Sequence, residues 1–515
     1  MPVNRKIIIW LVLTFFIALA GMAAVTYQTR VGPGVTGDSV YYVMGAQNIL
    51  LGNGYSRYSG GWEPVPITGF PPIFSMLLVV AGFFGGNLYE SARIINILVF
   101  GANIFIAGLL IFRYTRTVVP ALICSLLLMT SASMIHYHSW VMTEGLFILF
   151  TLLSLFTLVH YFETNKLRFL VVSALLMAAS TLTRYVGLAS VGMAGLGILF
   201  LSHLSWKKRL VHIVILALVS LTPFILWLYR NSLVSHNLVN RQFAFHFMSR
   251  ELVLGFISEA VSWFAPRLLH LPYLLDAFLC LIFAGGIPVL YFLAESRRGS
   301  LNKSASWKGF GILPFLILLF IPTYVILLVA NTTLLDASTS ISATRRYLLP
   351  VFVVVVIMLI CMVYRLVEKK TSGVKITSLL IALIFLGFSF SETFSDLRDP
   401  YKDLGYTDMK HSWTNIVQTL NDIDNSHLFI SDNVELFYFL AGRPAYAFPI
   451  NYDNYTEQAR QDYEQQIAKA KNRLDKGAII VLFQPDEQRQ KALEQLGVEK
   501  LYEFPQAIFY HQPGQ

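Results

Sequence analysis

The sequence predicts an all-α polytopic membrane protein with about eleven transmembrane helices and a small α/β domain outside the membrane. Of its 515 residues, 55% are hydrophobic and only 13% are charged, whereas soluble domains carry about 25% charged residues. Long apolar runs fill the chain up to about residue 391, and the remaining segment is far richer in charge. We therefore predict a membrane domain over residues 1–391 and a soluble domain over residues 392–515.

The membrane domain contains apolar runs of about 20 residues, the length that crosses a bilayer as a helix. The first run has features of a signal peptide, but it exceeds the usual apolar region of about 7–15 residues, so we favour an uncleaved span. Two short runs meet at Arg184, and reading them as one long helix would reverse every later orientation. The predicted spans are 7–27, 91–112, 117–135, 144–162, 169–183, 185–203, 210–229, 272–294, 309–330, 347–365 and 376–391.

Lysine and arginine clusters orient these spans, because such residues favour the cytoplasmic side. With Arg5 and Lys6 inside, every connection assigned to the cytoplasm is basic. The N-terminus is then cytoplasmic and the soluble domain lies outside, in what we interpret as a bacterial inner membrane. Much of the net charge of +9 thus comes from basic residues that orient the protein in the membrane, and we expect no nucleic-acid partner. The basic residues are Arg113, Arg116, Lys166, Arg168, Lys207, Lys208, Arg209, Arg297, Arg298, Lys303, Lys308, Arg365, Lys369, Lys370 and Lys375.

The first outer loop, residues 28–90, contains a polar, glycine-rich and aromatic stretch in an otherwise apolar domain. Two surface-lying helices are predicted in it, from Ser39 to Leu51 and from Ile73 to Phe84, because both are too short to span. Asp38 precedes the first helix. It is either the N-cap of that helix or a catalytic carboxylate, since Asp is common at N-caps.

Four places on the predicted outer face carry charge near membrane depth, where charge is costly and therefore a functional hypothesis. They are Asp38, Glu144, Arg184 with Tyr185, and Arg345-Arg346-Tyr347. Arginine binds phosphate through paired hydrogen bonds, and a carboxylate can accept a proton from a hydroxyl. The pattern predicts a site for a phosphorylated substrate with an acid–base step. Tyr55 and Arg57, between the two surface helices, are further candidates for substrate binding.

Simpler explanations exist for these charges. Arg345 and Arg346 could anchor the protein to lipid headgroups, as long basic side chains at span ends do. Arg184 could pair with Glu144 only to neutralise both charges.

A divalent metal ion is the one cofactor that the pattern allows. The candidate ligands are Glu144, His136 and His138, with the histidines spaced as on one face of a strand or turn. A complete set of metal ligands is not evident from this pattern, and such histidines are also common at interfaces.

The soluble segment alternates strand-like and helical patterns, which predicts a small α/β domain. Strands are predicted at 427–431 and 478–483, and helices at 413–423 and 463–474. The segment has no glycine-rich phosphate loop and no Cys/His metal motif. We interpret it as a cap or partner-docking domain without catalysis of its own.

The order of these motifs resembles the GT-C superfamily of integral-membrane glycosyltransferases, near the branch of protein O-mannosyltransferases and lipid A aminoarabinose transferases. The resemblance covers about residues 1–390. The motifs are an early outer Asp (Asp38), Phe70-Pro71-Pro72, an acid at the start of span four (Glu144), and two further segments. The two segments are Leu182-Thr183-Arg184-Tyr185-Val186-Gly187-Leu188 and Arg346-Tyr347-Leu348-Leu349-Pro350.

The resemblance implies a polyprenyl-phosphate sugar donor, an acceptor hydroxyl on a lipid, glycan or protein, and chemistry on the periplasmic or luminal face. It implies that Asp38 is the acceptor-activating base, Glu144 the second acid, Arg184 the basic residue of the fifth–sixth turn, and Arg346 a neighbour of the donor phosphate. Asp38 is followed by Ser39 rather than by a second acid, which departs from the protein mannosyltransferases.

Three functions are compatible with these residues. The first is an inverting glycosyltransferase, the second a lipid-linked-sugar flippase or transporter, and the third a glycan polymerase or ligase. A transporter would place ionisable residues at mid-span near broken helices, often in repeated halves. Here they cluster outside, which favours the first.

Overall fold

The structure of the protein, a computed structural model, is described here for most of the chain. The predicted span 272–294 and the first residues of the span 309–330 lie outside the described residues. The described residues are 5–235, 237–263, 311–335, 343–368, 370–398, 404–424, 426–453 and 458–514.

The membrane domain is a helical bundle with two short helices and a two-stranded hairpin between its first two long helices. A turn of 3₁₀ helix, Tyr185–Gly187, precedes α9. The elements are α1 (Arg5–Gln28), α2 (Gly37–Leu50), β1 (Ser56–Arg57), β2 (Val65–Pro66), α3 (Ile73–Gly82), α4 (Leu88–Thr115), α5 (Val118–Met129), α6 (Ala132–Ser139), α7 (Glu144–Thr164), α8 (Leu167–Thr181), α9 (Leu188–Leu201), α10 (Trp206–Ser235), α11 (Arg250–Ser262), α12 (Leu313–Leu334), α13 (Thr344–Val367) and α14 (Ser372–Arg398).

The polytopic membrane class is confirmed. Seven described helices are long and apolar enough to cross a bilayer, and the pair α5–α6, bent by 55°, makes an eighth if it is one span. Reading 169–203 as one long helix is wrong, because α8 ends at Thr181 and Arg184 is extended (φ −149°, ψ 132°). The count of eleven spans stays a prediction.

The first helix is an integral part of the bundle. Trp10 of α1 is buried and stacks on Phe112 of α4, with ring centroids 4.8 Å apart. Buried aromatic side chains contribute strongly to the stability of a core, because each removes a large apolar area from water. By contrast, α14 exposes apolar residues such as Ile384 and Phe388, as expected of a helix that faces lipid.

The two predicted surface helices are present as α2 and α3, but Asp38 is not the N-cap of α2. The N-cap is Thr36: its hydroxyl accepts from the Ser39 N–H (3.5 Å), and the Ser39 hydroxyl accepts from the Thr36 N–H (3.0 Å). This reciprocal capping box satisfies the helix end without a carboxylate. The side chain of Asp38, at the second helical position, is therefore available for another role.

The C-terminal segment forms the predicted small α/β domain, which is called the outer domain below after the location that the sequence predicts for it. Its five-stranded sheet has the order β4-β3-β7-β9-β8, parallel across β4, β3 and β7 and antiparallel across β7, β9 and β8. The helix α14 continues through residue 391 to Arg398. The elements are α15 (Tyr406–Ser412), α16 (Thr414–Asp422), β3 (Phe429–Ser431), α17 (Val434–Ala441), β4 (Tyr446–Ala447), β5 (Tyr452–Asp453), β6 (Gln458–Ala459), α18 (Tyr463–Leu474), β7 (Ile479–Leu482), α19 (Glu487–Leu496), β8 (Glu499–Phe504) and β9 (Ala507–His511).

The outer domain is joined to the loop that leads into α2. The N–H of Val35 donates to the carbonyl of Leu404 (3.1 Å), and the N–H of Tyr406 donates to the carbonyl of Val35 (2.9 Å). Gly405 lies between them at φ +62°, where a Cβ would come within 2.5 Å of the Val35 carbonyl oxygen. Only glycine fits so close a backbone approach at positive φ. The start of α2, and with it Asp38, is thus fixed against the outer domain.

Candidate active site

Four charged side chains predicted from distant parts of the sequence come together on one side of the bundle. They are Asp38 of α2, Glu144 at the start of α7, Arg184 between α8 and α9, and Arg346 of α13. Arg346 donates from Nη1 to Oδ2 of Asp38 (2.8 Å) and from Nε to Oε1 of Glu144. Arg184 donates to the same Glu144 oxygen and to the hydroxyl of Thr143 (3.3 Å). Two acids and two arginines therefore form one continuous ion-pair network.

The two carboxylates of this network differ in accessibility. The Glu144 side chain is 0% exposed, whereas that of Asp38 is 33% exposed. A buried carboxylate between two guanidinium groups balances their charge and fixes their positions, because an unpaired buried charge is strongly unfavourable. A partly exposed carboxylate can meet a substrate. The geometry thus assigns Glu144 to the framework of the site and Asp38 to its open side.

Arg345 and Arg346 are adjacent in sequence but have different partners. Arg345 pairs with Glu259 (3.6 Å) and Glu392 (3.8 Å), away from Asp38 and Glu144. Arg346 is 17% exposed and doubly paired. Lipid-headgroup anchoring by Arg346 is therefore wrong, because its guanidinium faces inward to two carboxylates.

Two of the predicted tyrosines have hydrogen bonds that give them a structural role. Tyr185 donates to the carbonyl of Thr68 (2.9 Å) and accepts from the indole of Trp227 (2.9 Å). Tyr55 is buried and donates to the carbonyl of Phe70 (3.2 Å). They connect the loop before α3 to Trp227 of α10.

Tyr347 was also predicted to bind substrate. Its backbone carbonyl accepts a hydrogen bond from the hydroxyl of Tyr324 (2.7 Å). Because Tyr324 belongs to α12, this bond positions the start of α13, on which Arg346 lies.

Arg57 of β1 is a further arginine in the electrostatic surroundings of Asp38. Its guanidinium carbon is 3.8 Å from the ring centroid of Tyr41, a cation–π contact. Burial lowers the pKa of Arg57, and the carboxylate of Asp38 opposes that shift. Burial, and after it the Asp38 carboxylate, raises the pKa of the neighbouring Tyr42. Asp38 thus interacts electrostatically with Arg57 and Tyr42 in addition to its ion pair with Arg346.

The predicted metal ligands are not arranged as a metal site. His136 and His138 lie in a helix, α6, where residues two apart do not share a face. Both ring nitrogens of His138 are engaged, with the Met134 carbonyl (2.7 Å) and the Asn103 amide (3.1 Å). Glu144 faces two guanidinium groups. Within the described ranges, no three His, Cys, Asp or Glu side chains are grouped as metal binding requires.

Sequence reasoning missed three residues around Asp38. Tyr41 and Tyr42 follow Asp38 by three and four positions, the helical spacing that shares a face, so this spacing could have identified them. The third is Glu435 of α17 in the outer domain, which accepts a hydrogen bond from the Tyr41 hydroxyl. It is 394 residues from Tyr41, and no local pattern links the two.

The arrangement has a definite chemical capacity. Arg184 and Arg346 retain N–H donors beyond those used for the two acids, and these can bind phosphate oxygens. Asp38 can accept a proton from a hydroxyl placed at its exposed side. The site suits a reaction in which a phosphate leaves while a hydroxyl attacks.

The fold is shared with solved structures of the GT-C superfamily. ArnT from Cupriavidus metallidurans matches in the apo state with a TM-score of 0.62 and 12% identity over 97% of both chains. Its structure bound to undecaprenyl phosphate matches with a TM-score of 0.57 and 14% identity over 97% of both chains.

A third solved structure is similar over most of its length. The archaeal oligosaccharyltransferase AglB from Archaeoglobus fulgidus, in complex with an inhibitory peptide and a dolichol-phosphate, has a TM-score of 0.53 at 12% identity. The match covers 97% of this chain and 74% of AglB. Comparison with protein-family models and with curated proteins gave no match. At these identities the likeness establishes fold, and it confirms the predicted GT-C resemblance at that level.

Proposed function

We propose that this chain, which has the GT-C fold, is an integral-membrane glycosyltransferase. It moves a sugar from a polyprenyl-phosphate-linked donor to an acceptor hydroxyl on the outer face of the membrane. The similar structures of ArnT and AglB contain undecaprenyl phosphate and a dolichol-phosphate, respectively. Those ligands support a lipid-linked phosphate as the leaving group in this chain.

One observation carries the proposal: the Asp38 carboxylate, whose side chain is 33% exposed, lies 2.8 Å from the guanidinium of Arg346. The same guanidinium also pairs with the fully buried Glu144. A base and a phosphate-binding group are thus adjacent on the open side of one network. Neither helix capping nor headgroup anchoring explains this pairing, because Thr36 caps α2 and Arg346 faces inward.

The reaction follows from these positions. An acceptor hydroxyl on the exposed side of Asp38 attacks the anomeric carbon of the donor sugar. A carbon–oxygen bond forms to the acceptor while the bond from the anomeric carbon to the phosphate oxygen breaks. The hydroxyl proton passes to Asp38, and polyprenyl phosphate leaves. A single displacement of this kind inverts the anomeric configuration.

Arg184 and Arg346 stabilise the charge that develops on the leaving phosphate. Such preorganised donors are most effective when their positions are fixed before the reaction, and Glu144 fixes both. A phosphate bound to Arg346 competes with Asp38 for the guanidinium. Donor binding therefore loosens the ion pair on Asp38 and makes its carboxylate available to the acceptor.

The proposed setting is a bacterial inner membrane with the N-terminus in the cytoplasm and the outer domain outside, as the basic connections indicate. The donor enters from the outer leaflet, where its polyprenyl chain remains in lipid. The acceptor is a hydroxyl of a lipid, glycan or protein.

The test is to delete the gene and compare envelope glycolipids and glycoproteins by mass spectrometry. We expect one sugar to be lost from one class of acceptor, and a plasmid-borne copy of the wild-type gene to restore it. The accumulated lipid-linked sugar identifies the donor. An unchanged set of glycans would refute the proposal. A lost sugar with the lipid-linked donor accumulating in the inner rather than the outer leaflet would refute glycosyl transfer and favour a flippase.

A further inference from the structure

The outer domain contributes to the surroundings of Asp38. The hydroxyl of Tyr41 donates to Oε1 of Glu435, which lies in α17 of that domain. A Cβ on Gly37, the residue before Asp38, would lie 3.6 Å from Cγ of Glu435 and 3.8 Å from the hydroxyl of Tyr406. The domain that we expected to be a cap or partner-docking domain without catalysis therefore contacts the helix that carries the candidate base, next to that base.

Further contacts show that this approach is an ordered interface. Tyr438, one turn beyond Glu435 in α17, donates from its hydroxyl to the side chain of Gln47 in α2 (3.0 Å). Its ring is stacked with that of Tyr58, with centroids 6.1 Å apart. Burial raises the pKa of Glu435, and the nearby Asp38 carboxylate adds to the shift. The hydroxyl of Tyr41 is the hydrogen-bond donor to this partly buried carboxyl group.

Arg57 contacts the same tyrosine. Its guanidinium lies over the Tyr41 ring at 3.8 Å. Across the described ranges it makes no ion pair and no hydrogen bond, although it has five N–H donors. Arg184 and Arg346, in contrast, are each paired with a carboxylate. A half-buried guanidinium with unfilled donors beside a partly exposed carboxylate is chemically complementary to an anion.

We propose that Glu435, Tyr41 and Arg57 form an anion subsite that the outer domain completes. Glu435 is a positioning residue: it fixes Tyr41, whose ring orients the Arg57 guanidinium toward a phosphate or carboxylate of a bound substrate. The ligand is either the donor phosphate or an anionic group of the acceptor. The inference rests on the proposed function, because it assumes that substrates bind at Asp38.

The first experiment separates the two sources of the anion. Binding of a polyprenyl monophosphate to the purified full chain is measured by titration. Sugar transfer is measured with lipid-linked sugars extracted from wild-type cells as donor and washed membranes of the deletion strain as acceptor. We expect Arg57→Ala to weaken either polyprenyl phosphate binding or the apparent acceptor affinity by about tenfold or more, the size of a charged hydrogen bond.

The arm that changes identifies the source, because loss of lipid-phosphate binding indicates the donor and a raised KM for acceptor membranes indicates the acceptor. Arg168→Ala is the matched control, since Arg168 also stacks on a ring (4.9 Å from Phe169) but is predicted to be cytoplasmic. Both constants within about twofold of wild type for Arg57→Ala would overturn the subsite. A wild-type protein that neither binds the lipid phosphate nor transfers sugar would overturn the proposed function as well.

The second experiment tests positioning by the outer domain. Glu435→Ala and Tyr41→Phe remove the hydrogen bond, and each should raise the same constant as Arg57→Ala by about two- to tenfold. Glu435→Gln keeps a hydrogen-bond acceptor for the Tyr41 hydroxyl, so this variant should have a constant close to that of wild type. Glu499→Ala, an exposed acid on β8, is the control. Wild-type constants for Glu435→Ala, or equal damage by Glu435→Gln and Glu435→Ala, would overturn the positioning role.

Discussion

Replacing Arg346 by alanine tests the phosphate-binding side of the site. In the structure Arg346 donates to Asp38 (2.8 Å) and to Glu144, and it is 17% exposed. A charged hydrogen bond contributes about 1.5–3 kcal/mol, which corresponds to a factor of about 10 to 150 in Kd. Because a phosphate must compete with Asp38 for the guanidinium, we expect the lower part of that range. The dissociation constant for polyprenyl phosphate should therefore rise about tenfold or somewhat more.

Arg345→Ala is the matched control for this variant. Arg345 is the adjacent residue but pairs with Glu259 (3.6 Å) and Glu392 (3.8 Å) instead, so its loss should leave the dissociation constant near that of wild type. The assay is titration of polyprenyl phosphate into purified protein, with the melting temperature recorded for each variant. Equal dissociation constants for wild type and Arg346→Ala at similar melting temperatures would refute phosphate binding by Arg346. Equal losses in both variants would refute its specificity.

Three further predictions concern topology, the buried acid and pH. Alkaline phosphatase fused after residue 515 should be active and a cytoplasm-only reporter silent; the reverse would exclude an outside C-terminus. Glu144→Gln should lower both melting temperature and sugar transfer, because the 0% exposed carboxylate balances two arginines and breaking a buried pair costs about 3–5 kcal/mol; unchanged values would contradict its framework role. The pKa of Glu435 is raised in the folded protein. The contribution of this group to the free energy of unfolding is therefore complete below its unfolded-state pKa of about 4.3. That contribution is lost as the pH rises through the folded-state pKa. The melting temperature of wild type should consequently fall relative to Glu435→Gln across that rise in pH, and parallel curves would contradict the shift.

Much of the fold could be predicted because membrane helices are encoded locally. Apolar runs near 20 residues, basic connections and short surface helices all depend on neighbouring residues, and the helix break at Arg184 was visible as two short runs. The start of α2 was predicted less well. Asp38 is a good N-cap in isolation, but Thr36 and Ser39 form a reciprocal box that takes its place.

The site was only partly predictable because its residues meet through tertiary structure. Charge at membrane depth identified Asp38, Glu144, Arg184 and Arg346, since such charge is rare enough to be informative. Charge alone could not separate Arg346 from Arg345, and only the family resemblance singled out Arg346. The two adjacent side chains pair with different partners. Glu435 lies in a domain with ordinary surface charge, and only the packing of α17 against α2 reveals its contact with Tyr41.

Sugar transfer by Asp38→Asn tests the central claim most directly. The substitution is nearly isosteric, and Thr36 rather than Asp38 caps α2, so membrane insertion and melting temperature should stay near wild type. An amide cannot accept the proton, and turnover should fall by about 10² or more. Glu63→Gln, an exposed acid in the same outer loop, is the control and should transfer normally. Wild-type turnover by Asp38→Asn, with the missing glycan restored in the deletion strain, would contradict the assignment of Asp38 as the base.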